Sequence, residues 1–270
     1  MASVSALSTV LVTGASGLLG RSLLARPAAA GYRVRAMSRR ALARSGAGAA
    51  PGVEWVAADL ATGDGVPAAV AGVDAVIHAA SDPRGDTRRT DVAGTELLLA
   101  SAERAGVRHV VYVSIVGIDR VPYPYYRRKL EAEDRIRSSP VPWTILRGTQ
   151  FHAFIDFLFR RFTRYPIALL PKSWLGQPVH VDEFADALWG CVGAGPQRRA
   201  PDFAGPEVLC YGDMMRAWLA AQRRRKLVLD LPLRGRMARA FRAGGATAPG
   251  RAVGRVTWSQ WLEMRYGGAP

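Results

Sequence analysis

Along the first half of the chain, short apolar runs alternate with stretches of helical spacing. The β-branched and aliphatic runs at Thr9–Thr13, Tyr32–Met37, Val53–Ala57, Asp74–His78, Arg108–Ser114 and Trp143–Leu146 read as buried strands. Thr90–Ala105 is the clearest helix, with Val92, Leu97, Leu98 and Ala102 among its apolar positions, and Gly106 just beyond it suits a helix C-cap. A charge-rich helix follows at Tyr125–Arg137. Such alternation gives a parallel sheet covered by helices, an α/β doubly wound architecture. Pro27 falls inside the first helical stretch, so a kink or an early end is expected there.

The first strand runs into Gly14-Ala-Ser-Gly17-Leu-Leu-Gly20. Each glycine has a mechanical job at a strand-to-helix turn. Gly14 allows the turn, Gly17 lets a pyrophosphate approach the backbone, and Gly20 lets the helix pack close to the sheet. The amides of Ser16, Gly17, Leu18, Leu19 and Gly20 then stand at a positive helix end that suits phosphate. The spacing is G-x-x-G-x-x-G, and glycine is common here, at 28 of 270 residues. It is the place of the triplet, at the first strand–helix junction, that points to a dinucleotide and to a Rossmann fold.

After Arg147 the alternation fades. Phe151–Phe162 reads as an aromatic-rich helix, Val181–Val192 as one entered through Asp182, and Tyr211–Gln222 as a third. Leu227–Leu231 reads as a short strand, residues 232–256 as a helix and a loop, and Trp258–Tyr266 as an amphipathic helix. The expected organisation is an NAD(P)-binding domain over residues 1–150. A smaller substrate lobe over 151–270 interleaves with late sheet elements, since ligands of open α/β sheets bind beyond the C-terminal strand ends.

Composition narrows the class. Apolar residues at 49% and charged residues at 22% are ordinary for a globular protein. Residues 2–20 carry no charge, yet a basic leader is missing and Thr, Ser and three glycines interrupt the apolar run. Strand, loop and helix explain that segment; a transmembrane segment does not. Cys191 and Cys210 make no disulfide framework, and a reduced, cytoplasmic compartment fits. The net charge of +15 raises nucleic acid as a partner. Only Lys129, Lys172 and Lys226 among the 37 basic residues are lysines, however, and no nucleic-acid motif accompanies the charge, so arginine on solvated faces is the favoured reading. His78, His109, His152 and His180 show no metal spacing, and no metal is expected.

An NAD site places an acid at the end of the second strand to hold the ribose hydroxyls. The first acid of this chain is Glu54, and the expected place holds Ser38, Arg39 and Arg40. A guanidinium there pairs with the 2′-phosphate of NADP, which favours NADP over NAD; a solvated loop is the alternative. Tyr125 and Lys129 stand four apart on one helix face. A lysine ammonium favours the phenolate form of a nearby tyrosine, which could then give a proton to a carbonyl oxygen as hydride arrives from a nicotinamide. Lys129 could also hold ribose hydroxyls, and Ser114, ending the fifth strand, could hold the substrate oxygen. Eight tyrosines and three lysines in 270 residues give only about 0.09 chance pairs at this spacing. Packing of Tyr123, Tyr125 and Tyr126 in a Pro-rich loop is the competing explanation.

With these residues in view, the chain resembles the extended or atypical short-chain dehydrogenase/reductases of the NmrA-like NAD(P)-binding family. The resemblance rests on Thr13–Gly20, Asp59-Leu60, His78-Ala79-Ala80, Asp91-Val-Ala-Gly-Thr95, Ser114, Tyr125 with Lys129, and Leu146-Arg147, and is strongest up to residue 151. It implies that Asp59 and Leu60 flank the adenine, that Ala79 and Ala80 line the cofactor, and that Gly148, Thr149 and Phe151 border the nicotinamide. Two positions depart from the family pattern: Asp91 replaces an Asn, and Gly148 a Pro. The resulting expectation is an NADP-dependent oxidoreductase that transfers hydride to a carbonyl-like group of a small apolar substrate, with a homodimer through the Thr90 and Tyr125 helices as one assembly. Many NmrA-like proteins instead sense NAD(P) without chemistry, and that alternative stays open; a nucleotide-sugar epimerase fits less well. His152 could touch substrate or be packed, and Phe151–Phe162 could wall the nicotinamide or lie on a membrane surface.

Overall fold

The computed structural model describes residues 9–26, 31–39, 52–83 and 85–267. In chain order the strands are β1 (Thr9–Thr13), β2 (Arg33–Ser38), β3 (Val53–Ala57), β4 (Ala75–His78), β5 (His109–Ile115), β6 (Trp143–Gly148), β7 (Ile167–Leu170), β8 (Leu175–Gly176), β9 (Arg198–Arg199), β10 (Leu209–Cys210) and β11 (Leu227–Asp230). The α-helices are α1 (Leu18–Leu24), α2 (Val66–Val70), α3 (Gly94–Arg104), α4 (Pro124–Arg137), α5 (His152–Phe162), α6 (Val181–Ala194), α7 (Tyr211–Ala221), α8 (Arg236–Arg242) and α9 (Trp258–Tyr266).

Two compact units emerge. The first comprises Met1–Ser114, Arg128–Leu146 and Ala185–Ala200. Its strands form a seven-stranded sheet in the order β3-β2-β1-β4-β5-β6-β9, a Rossmann-like arrangement in which β1 pairs parallel with both β2 and β4. Strand order reverses at the β1/β4 boundary. That is where open α/β sheets bind ligands, outside the C-terminal strand ends, and Thr13 lies opposite His78 there. The core on one side of the sheet joins Leu11, Val76, Val110 and Ile145 to Leu98, Ala102 and Ile136 of the covering helices. As the pattern suggested, Gly106 ends α3 in the left-handed region (φ 71°), and the Val107 amide bonds to Ala102 O at 2.9 Å, a Schellman closure.

The second unit comprises Ile115–Arg127, Arg147–Phe184 and Pro201–Pro270. Here α5, α7 and α9 bury an aromatic core of Phe159, Trp218, Trp258 and Trp261 around Ile155 and Met214. Two small ribbons accompany it, β8 with β10 and β7 with β11. Residues 232–256 do form a helix and a loop, and α9 starts with a capping box between Thr257 and Gln260.

Several local expectations need correction. The helix expected over Thr90–Ala105 opens with a π-helical turn, Arg88–Ala93, and becomes regular only from Gly94. Strands β7, β8, β9 and β10 carry no readable period: three have two residues, and Ile167–Leu170 is apolar throughout. Helix α1 ends at Leu24, before Pro27, which with Arg40 lies outside the described residues.

Three histidines are buried as neutral rings. Burial lowers His78 to about 3, with a further push from the Lys129 charge; it lowers His109 to about 4; and burial with the neighbouring His180 lowers His152 to about 3. An unfolded chain takes up these protons near pH 6.5 whereas the folded chain does not. Stability is therefore full above pH 6.5 and lost as pH falls, by up to about 1.4 kcal/mol per histidine per pH unit. Urea melts between pH 7.5 and 5 should show a steep fall; a flat profile would contradict neutral burial.

Candidate functional site

The turn after β1 is built without room for side chains. Gly14 has φ 67°, and a Cβ there would lie 2.8 Å from Ala80 Cα, so the backbones leaving β1 and β4 touch. A Cβ on Gly20 would lie 2.3 Å from Gly14 O and 2.6 Å from Ala15 Cα. Gly17 is different: it is exposed, and its Cβ would meet only Gly14 O at 3.2 Å. Gly17 caps α1 with no side-chain bond, so the first amides of the helix, Leu18 to Gly20, have no partner of their own within it. Three glycines thus make a bare, amide-lined cradle.

Around that cradle stand the other residues singled out for nucleotide. Ser38 ends β2, and its hydroxyl lies 3.4 Å from that of Ser16. Arg39 follows, exposed, and β2 itself carries no carboxylate. Asp59 shapes the turn after β3 through Ala61 N–H to Oδ1 (2.8 Å), and Leu60 packs under Gly94, whose Cβ would lie 2.8 Å from Leu60 Cβ. Ala79 and Ala80, half-buried, leave β4 beside Gly14.

His78 holds the switch point together, and its protons can be assigned from the bonds. Thr95 Oγ1 gives its single proton to Asp91 O (2.6 Å), so it accepts from His78 Nε2–H (2.9 Å). His78 Nδ1 then accepts from Thr13 Oγ1 (2.8 Å), which in turn accepts from Ala80 N–H (3.1 Å). The five residues lock β1, β4 and the start of α3 in one network.

Lys129 is buried beside β5. Its ammonium donates to Val113 O at 2.9 Å and sits 4.2 Å from the centre of the Tyr112 ring. A carbonyl and a π face occupy two of three N–H directions, which leaves one that could take a ribose hydroxyl. Burial pushes Lys129 down to about 8 against the upward pull of the Asp91 and Glu133 carboxylates. Asp91 itself is buried and accepts from Ser81 Oγ (2.6 Å) and Asp82 N–H (3.0 Å). So the Asp that replaces the family's Asn sets the loop after β4 and gives Lys129 a counter-charge. The sequence marks Asp91 only as a departure from a motif and does not tie either anion to Lys129, although Glu133 stands four residues after it on α4. One residue beyond Val113, the Ser114 hydroxyl is buried and has no hydrogen-bond partner among the described residues. Such a group costs stability unless a ligand satisfies it.

Tyr125 lies in the second unit, one turn before Lys129 on α4, and is half-buried against Tyr123 and Tyr126. The packing role expected of these tyrosines falls to Tyr126, which is buried, bonds to Gln150, and is pushed up to about 12 by burial. In the same unit, Gly148 is forced by Phe184, whose ring would lie 2.6 Å from its Cβ. Thr149 spends its hydroxyl on the Gly205 amide (3.2 Å), and Phe151 caps α5 with its ring against Phe184. His152 is packed, with its ring parallel to those of Trp258 and Trp261. Among the described residues no group of three or more His, Cys, Asp or Glu could hold a metal, and no helix is long and apolar enough to cross a membrane.

The family profile described as NAD(P)H-binding matches residues 14–153, just over half of the chain. Over 144 residues the chain is 37% identical to (4-alkanoyl-5-oxo-2,5-dihydrofuran-3-yl)methyl phosphate reductase of Streptomyces griseus, covering 53% of this chain and 48% of the relative. Over 148 residues it is 26% identical to the photosystem II assembly factor Ycf39 of Trieres chinensis, covering 53% and 46%. The chain thus spans about half the length of the curated relatives it matches. In fold it is similar to the NADPH-dependent quinone oxidoreductase QOR2 of Escherichia coli solved with NADPH, with a TM-score of 0.78, 16% identity, and coverage of 95% of this chain and 99% of the other. With its glycine turn, its switch point and this match together, the chain belongs to the NAD(P)H-binding family.

Proposed function

We propose that the chain is an NADPH-dependent oxidoreductase acting on a carbonyl-like group of a small apolar substrate in the cytoplasm. The observation that carries the reading is the buried Ser114 hydroxyl, without a hydrogen-bond partner among the described residues, next to the carbonyl that holds Lys129. The cradle fits a dinucleotide: amides of Ser16 to Gly20 for the pyrophosphate, Ser38 and Arg39 for the 2′-phosphate, Asp59 and Leu60 beside the adenine, and Ala79 and Ala80 along its length. When bound, NADPH supplies the hydride that adds to the carbonyl carbon. Ser114 donates a hydrogen bond to the carbonyl oxygen and orients it. Tyr125 gives that oxygen its phenolic proton, yielding the alcohol, and solvent then reprotonates the phenolate. Lys129 holds a ribose hydroxyl and, as a cation, favours the phenolate that Tyr125 becomes. Gly148, Thr149 and Phe151 border the nicotinamide.

The resemblance to an assembly factor supports a second reading, in which the same site binds NAD(P) without chemistry. Loss of NADPH absorbance with a panel of aldehydes, β-keto esters and enones separates the two. Turnover with at least one member is expected from the enzyme. A site that binds NADPH and turns over none of them would favour the accessory role.

A further inference from the structure

The β7/β11 ribbon of the second unit breaks the usual rule for a half-buried strand pair. Its strands run parallel, with Ile167 opposite Leu227 and Leu169 opposite Leu229. The inward residues Ala168 and Leu170 are buried, as expected of a face packed on a core. Parallel strands are ordinarily covered on both faces, so the outward positions should either be covered as well or be polar. Instead they are Ile167, Leu169, Leu227 and Leu229, exposed by 47%, 49%, 57% and 43%. Four aliphatic side chains thus form one continuous outward patch, and Tyr165, 66% exposed, stands at its entrance.

The charge beside the patch has one sign. Because the strands are parallel, the segments leading into them, Arg164-Tyr165-Pro166 and Arg224-Arg225-Lys226, reach the same end of the ribbon. Among the described residues Arg164, Arg225 and Lys226 make no ion pair, nor do Arg161 and Arg223 close by in sequence. The one acid of the ribbon, Asp230, is at the opposite end, where it accepts from the Lys172 amide at 3.0 Å. This is an apolar face with an aromatic at its border and a cationic edge.

We propose that this face docks on an anionic lipid bilayer: the aliphatic side chains enter the interface, Tyr165 sits at headgroup level, and the Arg/Lys edge meets lipid phosphates. The net charge of +15 on each copy opposes a second copy as occupant. Size argues against a protein partner. Four aliphatic residues and a tyrosine fall far short of the roughly 20–30 residues a side of a stable protein interface. A bilayer needs no such extent and supplies the negative charge.

Flotation of the full chain with vesicles of equimolar phosphatidylglycerol and phosphatidylcholine, against phosphatidylcholine alone, tests the proposal. The chain should float with the anionic vesicles and stay behind with the neutral ones. The variant I167S/L169S/L227S/L229S should lose at least tenfold in bound fraction at an unchanged melting temperature, and L227S alone should lose a smaller part should the fourfold change unfold the chain. Failure to float with anionic vesicles would overturn the proposal. So would undiminished binding of folded variants, which would leave net charge as the cause, and so would a variant-sensitive dimer or equally tight capture of polyglutamate.

Discussion

Replacing Tyr125 with Phe is expected to lower turnover at least a hundredfold while NADPH affinity stays within about twofold of the parent. The change removes one hydroxyl from a half-buried ring packed on Tyr123 and Tyr126, so the packing survives. What disappears is the proton donor, and a positioned proton transfer is worth about 10² to 10⁴ in rate. Lys129 behaves differently because it serves both partners of the reaction. With its pKa at about 8, its ammonium is lost on the alkaline side. The rate should therefore fall as pH rises through about 8, and the fall should be shallower in the Tyr125→Phe background, where no phenolate needs a cation and only the ribose contact depends on Lys129. A Tyr125→Phe enzyme that turns over normally would remove this residue from the chemistry.

The second large effect separates two glycines of the same turn. Gly20→Ala places a methyl group 2.3 Å from Gly14 O and 2.6 Å from Ala15 Cα, backbone atoms with no side chain to swing away. Overpacking of that kind costs about 1–3 kcal/mol, and it displaces the cradle itself, so both melting temperature and NADPH affinity should fall. Gly17→Ala meets a single atom at 3.2 Å on an exposed surface. The fold should tolerate it. The methyl group nevertheless stands where the pyrophosphate must approach the amides, and affinity should drop at least tenfold at nearly constant melting temperature. Scanning fluorimetry and calorimetric titration of both variants read the two effects separately. Equal loss of stability in the two variants would contradict this division of labour.

Much of the first unit was legible because its signals are local. A β-branched run, a glycine triplet and a periodic helix lie within a few residues of one another, so sheet, turn and switch point follow from short windows. The absence of an acid after β2 was legible for the same reason. Residues whose reason lies far along the chain were not. Gly148 is small because Phe184, 36 positions later, fills its Cβ space. Asp91 reads as a departure from a family motif, and only the fold shows its carboxylate bracing Ser81 and Asp82 and facing Lys129. His152 reads equally well as a substrate contact or a packed ring, and Trp258 and Trp261, a hundred residues on, make it the latter. Strands of two residues leave no period to detect.

A calorimetric titration of the full chain with NADPH, and in parallel with NADH, bears most directly on the central claim that a nicotinamide dinucleotide seats its pyrophosphate on the turn from Gly14 to Gly20. One molecule of NADPH per chain, bound more tightly than NADH and weakened by Gly17→Ala, is the expected result. No heat from either nucleotide at millimolar concentration, or binding indifferent to Gly17→Ala, would contradict it.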